Sequence, residues 1–344
     1  MPVEMDDRDR RLLNLLQSDF PLTRRPYAAL GERLQMGEQE VLARIGRLRE
    51  EKIIRQISAI FDTRSLGYKS SLVAMRAEAG RVDEAAAMVN THPGVSHNYK
   101  RSHAFNIWFT VAVPPEKDLE ATVKKLHELA RAESTRILPT LRLFKIGVNL
   151  DMTGESNPAA MEEPAYSDKK REGADPSRLT SQEIQAIREL QEDLALAPAP
   201  FDPMAARMEI TPEALFAVAE ELQRRGHLRR FAAVLHHRTA GFRANAMGVW
   251  RVPEARVDPV GPMMGSFRGV SHCYLRPTYP DWPYNIFTMV HGRTAKECEE
   301  ILTAISQATE ITEYAQLYST KEYKKTRVRY FTDEYDAWDR QYAA

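Results

Sequence analysis

Shifted against itself by 174 positions, the chain matches without a gap over a long stretch. Gln17 falls on Gln191, Asp19 on Asp193, Leu22 on Leu196, Pro26 on Pro200, Arg33 on Arg207, Leu48 on Leu222, Arg55 on Arg229 and Gly67 on Gly241. One inserted residue later, Gly94-Val95-Ser96-His97 meets Gly269-Val270-Ser271-His272. Such a duplication restricts the chain to two copies of one unit, since both carry the same pattern of core and turn positions. Between them, "NLDMTGESNPAAMEEPAYSDKKREGADPSR" is polar and rich in Pro, Gly and Ser, the composition of a linker. At 344 residues, each half is long enough to bury cores of its own.

Within each copy the hydrophobic period changes once. Leu12, Leu13 and Leu16, then Leu30 and Leu34, then Val41, Leu42, Ile45 and Leu48 recur at helical spacing, interrupted by "DFPLTRRP" and "QMGEQE". Three short helices with a tight turn before the third predict a helix-turn-helix. "QISAIFD" then alternates as a strand, and "KSSLVAMRAE", "RVDEAAAMVNTH", "VSHNYKR", "FNIWFTVAV", "EKDLEATVKKLHELARA" and "ILPTLRLFKIGV" read strand, helix, strand, strand, helix, strand. The order βαββαβ predicts a ferredoxin-like sheet with helices on one face. The expected class is α+β, a tandem duplication of a winged helix-turn-helix domain plus a ferredoxin-like domain. The expected boundaries are 1–60 and 61–150 for the first copy, 151–178 for the linker, and 179–234 and 235–344 for the second.

The repeated cluster carries the chemistry. In the strand around His97, alternation puts His97, Tyr99 and Arg101 on one face, and in the second copy His272, Tyr274 and Arg276. A sheet face with only a structural role has little reason to repeat His, Tyr and Arg in line. The following strands share a pattern in which Asn106 matches Asn285 and Trp108 matches Phe287. Together they describe an aromatic-rimmed pocket with arginine at its edge, suited to a large, planar, multiply charged ligand. The copies also differ. The first has His103 in "KRSHAF", whereas the second has the Pro-rich "RPTYPDWPY" with Trp282 and Tyr284. A fused pseudo-dimer can build such a lopsided site and a homodimer cannot.

Charge and cysteine content exclude several classes. Lys+Arg and Asp+Glu are equal at 48 each, so no global field draws the protein to a polyanion or an anionic membrane. A charged start without an apolar core and the lack of any apolar run of membrane-spanning length predict a cytoplasmic protein. Cys273 and Cys298 give neither a disulfide framework nor metal-ligand spacing, and Cys273 is expected on the core side of its strand. His236 and His237 read as surface. His291 follows the Asn285 strand and could approach the pocket edge, but it has no histidine counterpart in the first copy and is not among the site candidates.

A helix-turn-helix joined to a βαββαβ domain resembles the Lrp/AsnC family of regulators, which implies DNA binding. The charges disagree. Residues 6–49 carry a net +2 and residues 178–222 a net −6, and "TPEALFAVAEELQ" offers almost nothing to a phosphate. DNA is therefore not the expected partner.

"HPGVSHNYKRSHAFNIWFTV" with "FKIGVNLDMTGE", and "GVSHCYLRPTYPDWPYNIFTMVHG" with "EYKKTRVRYF", closely resemble the two subunits of siroheme decarboxylase, here fused end to end as in the heme d1 branch. The resemblance implies conversion of two acetate side chains of siroheme to methyl groups, giving 12,18-didecarboxysiroheme. It implies no cofactor beyond the iron of the substrate itself, and as partners siroheme, its products and related subunits, with further oligomerisation left open. Protonating the side-chain carbon after CO2 loss requires a general acid, for which His97, His272 and then His103 are candidates. Axial ligation of the substrate iron is the competing role for each. Arg55, Arg101, Arg229 and Arg276 are assigned to carboxylates that are kept, because an arginine on a scissile carboxylate would stabilise the ground state. Tyr99, Tyr274, Asn106, Asn285, Trp282 and Tyr284 complete the expected substrate contacts. A regulator, or a tetrapyrrole carrier or sensor using the same pocket, is the alternative function.

Overall fold

The first helix, α1 (Asp7–Ser18), starts where Asp6 and Asp9 cap each other: Asp9 N donates to Asp6 Oδ1 at 2.7 Å and Asp6 N to Asp9 Oδ2 at 3.1 Å. Pro26 opens α2 (Pro26–Leu34), whose missing N–H costs nothing in a first turn. The turn into α3 (Glu38–Glu50) is tight. Met36 N donates to Gly31 O at 2.9 Å, and a Cβ on Gly31 would lie 2.5 Å from Met36 O, so only glycine fits. There follow β1 (Ile54–Phe61), β2 (Lys69–Arg76), α4 (Val82–Asn90), β3 (Val95–Arg101), β4 (Ile107–Val113), α5 (Leu119–Leu129), β5 (Ser134–Pro139) and β6 (Arg142–Ile146). The second copy runs α6 (Ser181–Leu190), α7 (Asp202–Arg207), α8 (Pro212–Arg224), β7 (Leu228–Leu235), β8 (Ala244–Trp250), α9 (Val257–Ser266), β9 (Val270–Leu275), β10 (Ile286–Gly292), α10 (Ala295–Thr309), β11 (Tyr314–Lys325) and α11 (Glu334–Gln341).

This computed structural model describes residues 5–147, 160–163, 167–168, 178–235 and 244–342. His236, His237, Gly241 and most of the linker fall outside the described residues.

The chain divides into two compact units that cut across the duplication. One holds the described parts of 1–66 and 171–243, and the other those of 67–147, 158–170 and 244–344. The first boundary lies at 66/67 rather than 60/61 because the turn after β1 is bonded inside the helical unit. Asp62 N donates to His227 O at 2.8 Å, Ser65 N to Asp62 Oδ1 at 2.8 Å and Ser65 Oγ to Gly226 O at 3.3 Å. In this unit β1 and β7 form an antiparallel ribbon, with Ser58 opposite Ala232. The register slips between Ile54 and Gln56 and again opposite Arg229, so Arg55 and Arg229 each occupy a β-bulge.

In the second unit the strands run β5-β2-β4-β3-β11-β8-β10-β9-β6. The expected α+β class and its repeated ferredoxin-like modules are found, and one strand assignment is corrected. "ILPTLRLFKIGV" is not one strand: its first part, β5, pairs with β2, and its second, β6, pairs with β9 of the other copy. Reciprocally, β11 pairs with β8 through Tyr314–Tyr318 and with β3 through Ser319–Lys325. Each copy thus completes the other's sheet.

Alternation sorts the side chains. Val73, Ile107, Phe109 and Val111 pack under α4 and α5, whereas Ala246, Trp250, Ile286 and Val290 pack under α9 and α10. The opposite faces meet in a third cluster, where Ala74, Trp108 and Leu138 join Met247, Val249, Phe287 and Leu317. No described helix is long and apolar enough to cross a membrane.

Candidate active site

The candidate side chains are set on β3 and β9 by period-two alternation. Tyr99 is the register partner of Trp108 and Tyr274 that of Phe287, and both aromatic partners belong to the cluster between the sheets. The rows His97–Tyr99–Arg101 and His272–Tyr274–Arg276 therefore both lie on intersheet faces. The residues between point the other way: Asn98 Nδ2 donates to Ala86 O at 3.2 Å, and Cys273 is buried in the core under α9, as expected. The rows have nearly the same geometry. Histidine and tyrosine ring centroids are 6.3 Å apart at 31° in the first and 5.9 Å apart at 32° in the second. Arg101 Cζ lies 5.8 Å from the Tyr99 ring centre and Arg276 Cζ 4.6 Å from that of Tyr274.

The two arginines are the main electrostatic feature. Arg101 is 5 % exposed and Arg276 7 %. Arg101 Nη1 donates to Leu317 O at 2.7 Å and Arg276 Nη1 to Leu138 O, while the buried Nε of each has no hydrogen-bond acceptor. Neither forms a salt bridge with a described carboxylate. Burial pulls each guanidinium down to about 10. A buried cation without a counter-charge is costly, and an anionic ligand offsets that cost.

The histidines are positioned by a feature absent from any linear reading. The β3–β4 register slips between Val95 and His97 and the β9–β10 register between Val270 and His272, which makes Ser96 and Ser271 bulge residues. Each bulge turns a hydroxyl onto the next imidazole. Ser96 Oγ is 3.0 Å from His97 Nδ1 and 2.8 Å from Thr110 Oγ1; Ser271 Oγ is 2.8 Å from His272 Nδ1 and 2.8 Å from His291 Nε2. The serines are candidate-site residues that sequence reasoning missed, although their identity in both "GVSH" strings was the available signal. His291, read from the sequence as at most near the pocket edge, belongs to the second array. Burial, with the nearby Lys325 charge adding to it, pulls its imidazole down to about 4, so it is neutral at physiological pH.

Other expected residues are placed differently. His103 is exposed in the β3–β4 turn, beyond Arg101 and at the far end of the strand from His97. Its Nδ1 accepts from Phe105 N at 3.0 Å, its ring meets the edge of Trp282 at 5.3 Å, and partial burial lowers its pKa. Trp282, expected to line or cover a planar ligand, is instead a core residue: it is 1 % exposed against Trp108, Phe105 and Phe287. Tyr284 is half-buried with its ring edge-on to Trp282 at 5.2 Å. Asn106 and Asn285, expected to bind substrate, are committed to the backbone. Asn106 Nδ2 donates to Ala77 O at 2.7 Å and its Oδ1 accepts from Ala77 N at 3.0 Å; Asn285 makes the same pair with Val252 at 2.8 and 2.9 Å. The adjacent Asn carbonyls accept from Arg101 N and Arg276 N, so these clamps fix the hairpins that carry the arginines. Asn285→Ala is expected to cost about 1–3 kcal/mol through the exposed pair of backbone groups, measured by urea unfolding. Arg55 and Arg229 lie at the bulges of the β1–β7 ribbon in the helical unit.

The helix-turn-helix arginines are occupied as well. On α3, Arg44 bonds Asp6, Asp9 and Glu40, Arg47 bonds Asp9 and Glu51, and Arg49 bonds Asp193. Duplex DNA should therefore show no shift with the protein at physiological salt, because phosphate contacts would have to displace these carboxylates.

Two exchanged βαββαβ modules, each with a His–Tyr–Arg row whose buried arginine forms no salt bridge with a described carboxylate, are suited to a multiply charged small molecule. Residues 65–145 and 239–324 match the AsnC-like ligand binding domain family, and residues 9–55 match the siroheme decarboxylase NirDL-like HTH domain. The chain belongs to the siroheme decarboxylase family. It is 39 % identical over 329 residues to the siroheme decarboxylase of Hydrogenobacter thermophilus, covering 95 % of this chain and 96 % of that one. A solved siroheme decarboxylase NirDL in complex with an iron-uroporphyrin III analogue superposes with a TM-score of 0.74 at 34 % identity, covering 98 % of this chain and 99 % of its own. The siroheme decarboxylase beta subunit of Methanosarcina barkeri is 42 % identical over 147 residues, covering 43 % of this chain and 97 % of itself.

Proposed function

We propose that the chain is a carboxy-lyase that removes CO2 from two acetate side chains of siroheme, giving 12,18-didecarboxysiroheme for heme d1 formation. The observation that carries this reading is the pair of buried arginines that form no salt bridge with a described carboxylate, each at the end of a His–Tyr–Arg row, in a chain of this family. At each reacting side chain the bond between the methylene carbon and the carboxylate breaks, CO2 leaves, and the electron pair stays on the methylene carbon. One proton then forms the methyl group. No electrons enter or leave, so the reaction calls for no redox cofactor, and the iron belongs to the substrate.

Arg101 and Arg276 present planar guanidinium forks to carboxylates that are kept, while Tyr99 and Tyr274 flank the macrocycle. His97 and His272, held through Nδ1 by Ser96 and Ser271, direct Nε2 away from the hydroxyl and supply the proton. Axial ligation of the iron would use the same nitrogen, so a histidine acting as acid at one moment cannot be a ligand at that moment. Asn106, Asn285, Trp282, Arg55 and Arg229 take no part in this reading. The two halves of the chain correspond to the separate subunits of shorter relatives, so the pseudo-dimer supplies both rows by itself. Anaerobic incubation with siroheme, followed by mass spectrometry of the extracted tetrapyrrole, tests the proposal. Loss of two CO2 units supports it, and siroheme bound but unchanged would make the protein a carrier or sensor.

A further inference from the structure

The two rows lie beside strands of different chemistry. β11 runs along β3 and β6 along β9, and the slip in register after Glu322 on β11 is matched by one after Leu143 on β6. Beyond the slip, Lys324 stands opposite Asn98 and Lys145 opposite Cys273. Both lysines turn to the helix side of the sheet. Lys324 Nζ donates to Asn90 O at 2.9 Å and His92 O at 3.2 Å, at the end of α4, and Lys145 Nζ to Phe267 O at 2.9 Å, at the end of α9. A cation suits these places because the last carbonyls of a helix carry partial negative charge. Alternation then sends the next residue to the opposite, intersheet face. Beside β9 that residue is Ile146, the register partner of His272. Beside β3 it is Lys325, the register partner of His97. Where the second row meets an aliphatic chain, the first meets an ammonium.

A second observation puts the charge on the same side. His291 shares the intersheet face of β10 with Phe287, and the Lys325 charge adds to burial in disfavouring its imidazolium. Opposed Cβ atoms of an antiparallel pair are about 4.5–5.5 Å apart, so a lysine chain extends past the neighbouring imidazole toward a ligand on that face. Lys325 is half-buried, whereas Glu322, opposite Tyr99 on the same strand, is exposed. An ammonium has three protons, and it can serve a ligand together with an acceptor of the protein.

We infer that Lys325 is a further substrate-binding residue, whose ammonium holds a carboxylate of the tetrapyrrole beside His97, and that this carboxylate is one the reaction keeps. The inference rests on the reading of the chain as a siroheme carboxy-lyase. An ammonium on a scissile carboxylate would stabilise the ground state, because the charge it attracts is lost from that group as CO2 forms. On a kept carboxylate the attraction is the same before and after the reaction. Ile146 takes the corresponding place in the second row, so the two rows offer a ligand one charged and one apolar neighbour.

The test measures affinity on the full chain for two ligands that share every kept carboxylate. Rapid-mixing anaerobic absorbance titrations use siroheme, read ahead of CO2 release, and independently prepared 12,18-didecarboxysiroheme. Lys325→Met should weaken both by about 10-fold, the effect of losing one hydrogen bond to a charged group. Lys325→Arg should restore both. Lys321→Met removes the same charge from an exposed position of β11, where Lys321 Nζ pairs with Asp83 at 3.0 Å, and should change neither. Urea unfolding identifies any variant that fails to fold, and Lys325→Gln then carries the test. Unchanged affinity in folded Lys325→Met or Lys325→Gln overturns the inference, as does an equal loss in Lys321→Met. A loss confined to siroheme overturns it too, because the carboxylate held would be one that leaves. Wild-type protein that binds both ligands but never releases CO2 overturns the functional reading instead, while the affinities still decide the role of Lys325.

Discussion

His97→Ala and His272→Ala should each lower the rate of CO2 release by about 10²- to 10⁴-fold, the range for loss of a general acid, with siroheme still bound. The binding survives because the charge recognition lies with Arg101 and Arg276, each four positions beyond its histidine in a row whose tyrosine is untouched. Rapid-quench mass spectrometry against bound substrate measured by absorbance separates the two effects. If each variant blocks a different acetate, the products will be two distinct singly decarboxylated isomers. If either variant instead abolishes binding, histidine is holding the iron and the proton comes from elsewhere.

The second large effect concerns stability and affinity in opposite directions. Arg101→Met and Arg276→Met should weaken siroheme binding by about 10- to 100-fold each, the value of a hydrogen bond to a charged group. The same substitutions should stabilise the unliganded protein by on the order of 1 kcal/mol, because they replace a buried cation that no described carboxylate pairs with by an apolar chain of similar length. The backbone carbonyls of Leu317 and Leu138 lose a donor, which limits the gain. Siroheme titration and urea unfolding measure the two arms. A variant that loses both affinity and stability would show that the arginine serves the fold rather than the ligand.

Much of this was legible in the sequence. The duplication fixed two copies with equivalent elements, and strict alternation in "GVSHNYKR" and "GVSHCYLR" put the same three side chains on one face of β3 and β9. Cys273 on the core side followed from the same parity. What escaped was set by pairing between distant segments. No local pattern says that Ser96 and Ser271 sit at bulges, because a bulge is defined by the neighbouring strand. The equivalence of Asn106 and Asn285 was visible, but their meaning was reversed: a repeated polar residue beside a pocket proved to be a repeated backbone clamp. Trp282 looked like a pocket wall because it follows a Pro-rich loop, and packing between two sheets consumed it. His291 was set aside for lacking a counterpart, yet it meets Ser271 in the second copy where Thr110 meets Ser96 in the first.

The exchanged final strands also bear on how the molecule comes apart. Duplicated modules joined by a linker ordinarily melt one after the other, each holding its own contacts. Here β11 is a single strand shared by both copies, β6 is lent in the opposite direction, and Trp338 of the C-terminal α11 packs in the first copy's core with its Nε1 donating to Thr91 Oγ1 at 3.0 Å. Neither copy's sheet can keep its edge once the other has melted. The paired modules are therefore one cooperative folding unit, and cutting the covalent linker would leave two polypeptides still clasped as one body.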